Sequence, residues 1–153
     1  VEKEKKADPE AQRYRRTRVL FVCIGNACRS PMAEVIARND AADVIEASSA
    51  GLSPLGFIPE LTKQTLIRND YPVLRLTSDA LTPEACDAAD VIINMSGRPR
   101  EAHFTDPQKV EDWMVADPYE DDPQTYQRVF ESIKRRVNQL AVGLREKRDG
   151  RQQ

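Results

Sequence analysis

Arg18-Val19-Leu20-Phe21-Val22-Cys23-Ile24-Gly25-Asn26-Ala27-Cys28-Arg29-Ser30-Pro31-Met32-Ala33-Glu34 decides the reading of this chain. Residues 18–22 form a β-branched and aromatic run of the kind that fills a buried parallel strand. Ser30 suits a helix N-cap and Pro31 the first helical position, with Met32, Ala33, Val35 and Ile36 continuing the helix. The loop from Cys23 to Arg29 thus lies between a strand end and a helix start. Main-chain N–H groups at a helix start are unpaired and carry partial positive charge. A loop wrapped around them, Ile24, Gly25, Asn26, Ala27, Cys28 and Ser30 included, makes an anion cradle, and Gly25 lets the backbone turn there. The same field favours the thiolate of Cys23 at the base of the cradle. Arg29 supplies a bidentate partner for two anion oxygens. Ser30 is placed to accept from the helix backbone and to donate its proton to the sulfur. The spacing of Cys23 and Arg29 is modest evidence alone; its place between strand and helix gives it weight.

Outward from this loop, strands and helices alternate. Val44–Ser48 reads as a second strand running into Ser49-Ala50-Gly51, followed by a helix near 60–69. A short helix starts at Thr82-Pro83-Glu84, and Asp90–Met95 reads as a third strand. A fourth strand is expected around Val110–Val115, while 98–106 is ambiguous. Asp122 and Pro123 open a last helix, in which Tyr126, Val129, Phe130, Ile133, Val137, Leu140, Ala141 and Leu144 form one apolar stripe suited to core packing. The alternation predicts a single α/β domain, a parallel sheet with helices on both faces in a Rossmann-like three-layer arrangement. The domain is expected over 17–147, with a flexible N-terminal arm at 1–16 and a polar C-terminal tail at 148–153.

Bulk composition narrows the function classes. The chain has 153 residues, 40% hydrophobic and 31% charged, with a formal net charge of −2. That is one domain with a real core and no basic excess for nucleic acid. No apolar stretch approaches the ~20 residues of a membrane span. Three cysteines do not read as a disulfide framework, so a cytoplasmic location is expected.

The segment Val19–Glu34 resembles the signature of the low-molecular-weight protein tyrosine phosphatases. Ser49-Ala50-Gly51, Leu81-Thr82…Asp90-Val91-Ile92 and Asp117-Pro118-Tyr119 follow in the family's order. The resemblance covers most of 18–145. It implies a four-stranded parallel sheet with the phosphate-binding loop after the first strand, and neither metal nor organic cofactor. It further implies hydrolysis of phosphotyrosine or a similar aryl phosphate through a phosphocysteine on Cys23. The expected partners are a phosphorylated protein and, in the loop, inorganic phosphate or related oxyanions.

Such a reaction needs an acid for the leaving group. The resemblance points to Asp117, with Tyr119 walling the pocket. Asp8, Asp106 and Asp122 also precede prolines, and Asp106 is the main rival. By resemblance Asn26 orients the loop, and Cys28 is the second cysteine able to form a reversible disulfide with Cys23. Cys86 reads as a core residue, and His103, the single histidine, as an unlikely partner for Cys23. The sequence departs from the family in several places. Leu76 stands where a histidine often supports the loop, and Asp79 where an arginine is often found. The loop Leu52–Gly56 is short and lacks an aromatic, for which Phe57 is a shifted candidate. Ala27 matches neither the branched residue of tyrosine-specific members nor the threonine of arginine-phosphate-specific ones. Phosphoarginine hydrolysis, thiol-dependent arsenate reduction and a non-catalytic phosphate-binding module therefore remain alternatives. The reductases need relay cysteines after the third strand, and 94–105 contains none.

Overall fold

The structure, a computed structural model, describes residues 14–152. Strand β1 (Thr17–Cys23) is buried on both sides. Val19, Phe21 and Cys23 join the larger core, while Leu20 and Val22 join a smaller one on the opposite face. Strands β2 (Ile45–Gly51), β3 (Val91–Asn94) and β4 (Val110–Asp112) complete a sheet of order β2-β1-β3-β4. All its pairings are parallel, as expected. Helices α1 (Arg29–Asp40), α2 (Glu60–Arg68) and α5 (Pro123–Gln152) cover the larger core. The short helix α3 (Pro83–Ala88) covers the smaller one, and α4 (Arg100–His103) follows β3. From β1 the chain passes to β2 on one side and later to β3 on the other. The carboxyl end of β1 is therefore the point where the strand order reverses, the usual ligand crevice of an open α/β sheet.

Two local expectations are corrected. Helix α1 begins at Arg29, with Cys28 at the N-cap, not at Pro31 after a Ser30 cap. The first helical hydrogen bond runs from Met32 N–H to Cys28 C=O (3.1 Å), so Pro31 lacks a donor only where none was needed. Strand β4 stops at Asp112 rather than continuing to Val115. Beyond it Trp113 buries its indole beside Phe21, with ring centroids 6.0 Å apart, and the Val115 carbonyl turns to Arg29.

Helix α5 starts as read from the sequence. Asp122 Oδ1 accepts the Thr125 N–H at 2.7 Å, and Tyr126, Val129, Phe130, Ile133, Val137 and Ala141 are buried. The helix then runs on to Gln152, through the expected tail. Arg145 and Arg148 close on Asp43 at 2.9 Å, and Arg145 also reaches the Asp40 carbonyl, which pins these turns to the end of α1. At the other terminus, residues 1–13 of the expected arm lie outside the described ones. Arg15 pairs with Asp90 (3.2 Å), and Arg16 donates to the Ala42 carbonyl.

Cys23 and Gly51 are register partners, so β1 and β2 end level. A Cβ on Gly51 would lie 2.8 Å from both the Asn26 nitrogen and the Ile24 oxygen. Those are backbone atoms, which cannot swing aside. Gly51→Ala is expected to lower stability by about 1–3 kcal/mol in urea unfolding. The Asp43 carboxyl is held well below the usual range, first by its hydrogen bonds from Arg145 and then by Arg148. Its contribution is complete above the unfolded value of about 3.9 and fades as pH falls toward the folded one. Because these side chains are partly exposed, Asp43→Asn is expected to cost at most about 1 kcal/mol at neutral pH. That cost should shrink in unfolding measurements at about pH 3.

Candidate active site

The loop after β1 is held from outside by its carbonyls. Leu52 N–H donates to Cys23 C=O (3.1 Å), Ser53 N–H to Ile24 C=O (2.8 Å) and Leu55 N–H to Gly25 C=O (2.9 Å). Thr62 Oγ1 donates to Ala27 C=O at 2.9 Å. In a trans peptide the N–H points opposite to the C=O. Four outward carbonyls therefore turn the N–H groups of Ile24, Gly25, Asn26 and Cys28 toward the inside of the loop. The start of α1 closes the ring, and the result is an anion cradle.

Asn26 is buried with a left-handed φ of 46°, a conformation asparagine tolerates better than most residues. Its side chain is fully committed. The Asp79 N–H donates to Oδ1 at 2.7 Å, which turns Nδ2 toward Ser30 Oγ (2.8 Å) and Ser49 Oγ (3.0 Å). Ser30 accepts from Asn26, and its own proton is free for Cys23 Sγ, 3.0 Å away. The acceptor side of Ser30 is thus filled by Asn26 and not by the helix backbone, a correction to the sequence reading. Ser49 passes its proton to Glu34, which also pairs with Arg38. The Asn26 amide therefore donates both ways, through Ser49 toward Glu34 and through Ser30 toward the sulfur of Cys23.

Arg29 is 4% exposed. Its Nη1 donates to the carbonyls of Met95 and Val115, and Nη2 lies 3.6 Å from Asp117 Oδ2. Its Nε is buried and has no partner among the described residues, a donor left over beside the cradle. The cleft is lined by Cys23, Gly25, Arg29, Leu55, Asp117 and Tyr119, with Ile24, Ala27, Cys28 and Ser53 between them. Asp117 is half exposed, and its Oδ1 accepts the Tyr119 N–H (3.1 Å). The rival Asp106 precedes the turn Pro107–Lys109 and does not line the cleft. Asp122 caps α5, and Asp8 lies outside the described residues. Exposed Phe57 does not line the cleft; Leu55 takes the wall position.

Cys28 lines the cleft, while Cys86 and His103 stand apart from it. Burial pushes the Cys28 thiol up, and it sits 3.5 Å from the Tyr126 hydroxyl, itself pushed up by burial. Cys86 lies in the smaller core beside Leu20 and Val22, across the sheet from Cys23. His103 ends α4, away from the cleft lining. All three cysteines are free. Among the described residues, no group of three or more His, Cys, Asp or Glu could hold a metal ion, and no helix is long and apolar enough to cross a membrane.

Several contributors carry little or no signal in the sequence. Ser49, part of the Ser49-Ala50-Gly51 motif, joins Asn26 to Glu34, and the Glu34/Arg38 spacing on one helix is the one hint of that pairing. The Leu52, Ser53 and Leu55 amides and the Met95 and Val115 carbonyls are backbone groups, and no residue type announces them.

Comparison with known proteins agrees with this architecture. A protein arginine phosphatase of Bacillus subtilis is 29% identical over 148 residues, covering 85% of this chain and 98% of the relative. Arsenate reductase 1 of Bacillus cereus is 30% identical over 125 residues, 80% of this chain and 92% of the relative. A probable low molecular weight protein-tyrosine-phosphatase, EpsP of Ralstonia nicotianae, is 29% identical over 139 residues, 83% and 95% of the two chains. Among solved structures, the YwlE arginine phosphatase from Geobacillus stearothermophilus superposes with a TM-score of 0.78 at 25% identity, covering 86% of this chain and 94% of its own. The family model described as low molecular weight phosphotyrosine protein phosphatase matches residues 18–150, and the chain belongs to that family.

Proposed function

We propose that this protein is a phosphomonoesterase that transfers phosphate from phosphotyrosine, or a similar aryl phosphate, to Cys23 and then to water. The observation that carries the reading is the cleft itself. It holds a sulfur at the base of an anion cradle, a buried arginine beside it and a carboxyl group at its mouth.

In the first step the dianion sits on the inward N–H groups, and the Nε of Arg29 gains the acceptor it lacks. The Cys23 thiolate attacks phosphorus opposite the ester oxygen, while Ser30 keeps its hydrogen bond to sulfur. As the P–O bond breaks, protonated Asp117 gives its proton to the leaving phenoxide. The products of this half-reaction are the phenol, the phosphocysteine and an Asp117 carboxylate. In the second step Asp117 takes a proton from water, whose oxygen attacks phosphorus and frees the thiolate. Leu55 and Tyr119 would hold an aromatic leaving group between them.

Arsenate reduction is the weaker reading, although arsenate fits the same cradle. It needs a thiol relay, and Cys86 lies across the sheet. Phosphoarginine is the second reading to test. The likeness to arginine phosphatases favours it, as does a carboxylate at the mouth able to face a guanidinium.

Hydrolysis of p-nitrophenyl phosphate, followed under reducing conditions between about pH 5 and 8, tests the proposal. Cys23→Ser is expected to abolish turnover. Asp117→Asn should cost roughly 10²–10⁴-fold, a loss that shrinks for better leaving groups. Arg29→Lys should cost about 10²–10³-fold in kcat. A folded, reduced wild type that fails on aryl phosphates but hydrolyses phosphoarginine would transfer the proposal to that substrate. Reduction of arsenate with added thiol, without esterase activity, would overturn it.

A further inference from the structure

The support expected from a histidine at 76 and an arginine at 79 is absent from this chain, because those positions are Leu76 and Asp79. Leu76 packs against the larger core as an apolar side chain. Between them, half-buried Ser78 makes two hydrogen bonds that join the two loops forming the cleft. Its Oγ donates to the Gly25 carbonyl at 2.8 Å and accepts the Gly56 N–H at 3.0 Å. Gly25 belongs to the anion cradle. Gly56 follows wall residues Ser53 and Leu55, at a φ of 93° that favours glycine.

With Leu55 N–H also bonded to it, the Gly25 carbonyl accepts two donors. Both pull on the peptide whose N–H, on Asn26, points into the cradle. Donors on a carbonyl polarise its peptide and strengthen the donor at the other end. The next residue of the strap, Asp79, orients the Asn26 amide through its own N–H. Residues 78 and 79 therefore hold consecutive positions of the cradle, one by a hydroxyl and one by backbone.

We propose that Ser78 is a positioning residue for the anion cradle: its hydroxyl fixes the Gly25–Asn26 peptide and ties the wall loop to it. This deepens the phosphatase reading and rests on it for its catalytic consequence, but anion binding can be read without turnover.

The test compares wild type, Ser78→Ala and Ser78→Thr by calorimetric titration with inorganic phosphate, by KM and kcat on p-nitrophenyl phosphate, and by thermal unfolding. Ser78→Ala is expected to weaken phosphate binding roughly 3- to 10-fold, the size of one lost hydrogen bond, and to raise KM in parallel. The melting temperature should move little, and Ser78→Thr, which keeps the hydroxyl, should recover most of the affinity. Unchanged phosphate affinity in Ser78→Ala would overturn the proposal. So would a loss that the threonine does not recover, or one matched by general destabilisation. If wild type binds phosphate without hydrolysing esters, the functional reading fails and the Ser78 comparison stands. If it binds no phosphate, both fall.

Discussion

Everything at the cleft depends on where the carbonyls of Cys23, Ile24, Gly25 and Ala27 go. Each is taken by a donor outside the loop, and the rigidity of the peptide unit then directs the N–H groups that follow them inward. The anion cradle is thus a consequence of satisfied acceptors rather than of any residue that touches an anion. Gly51 makes the arrangement possible, because β2 must end within van der Waals reach of the loop backbone. A charged side chain such as Arg29 adds strength and orientation to a site whose shape is already determined by main chain.

The second constraint is directional. A serine beside a cysteine can donate or accept, and only donation stabilises a thiolate. The Asp79 N–H decides between them by holding the Asn26 amide in one orientation, so that Ser30 meets a donor on one side and gives its proton to the other. The neighbouring Cys28 has the opposite environment, buried against Tyr126 with its thiol pushed up. Two cysteines five positions apart on one loop are thereby made chemically different by what lies behind each.

Much of this was legible in the residues. The apolar run at 19–22, the Asp122-Pro123 start of α5 and the stripe from Tyr126 to Ala141 are local patterns, and the structure keeps them. Cys23 and Arg29 of one loop and Asp117 and Tyr119, far along the chain, line one cleft. The limits of α1 and β4 were harder, since Ser30 serves the sulfur instead of a cap and Val115 turns its carbonyl to Arg29. Helix α5 outlasts its apolar stripe because ion pairs to Asp43 hold its later turns, and charged residues give no period to read. Leu76 looked like a loss of loop support. What supports the loop beside it is mostly backbone, which a sequence does not display.

The bonds from Leu52, Ser53 and Leu55 to Cys23, Ile24 and Gly25 have one further consequence, for how this scaffold can diversify. They run the two loops in step, like the teeth of a ratchet, as far as the Gly56–Ser78 contact. An insertion before Gly56 would shift every later donor past its acceptor and open the cradle. Between Gly56 and α2 there is no such lock, and Phe57 already stands out in solvent. New chain length added there would reshape what surrounds the cleft mouth while leaving the sulfur, the arginine and the anion donors where they are.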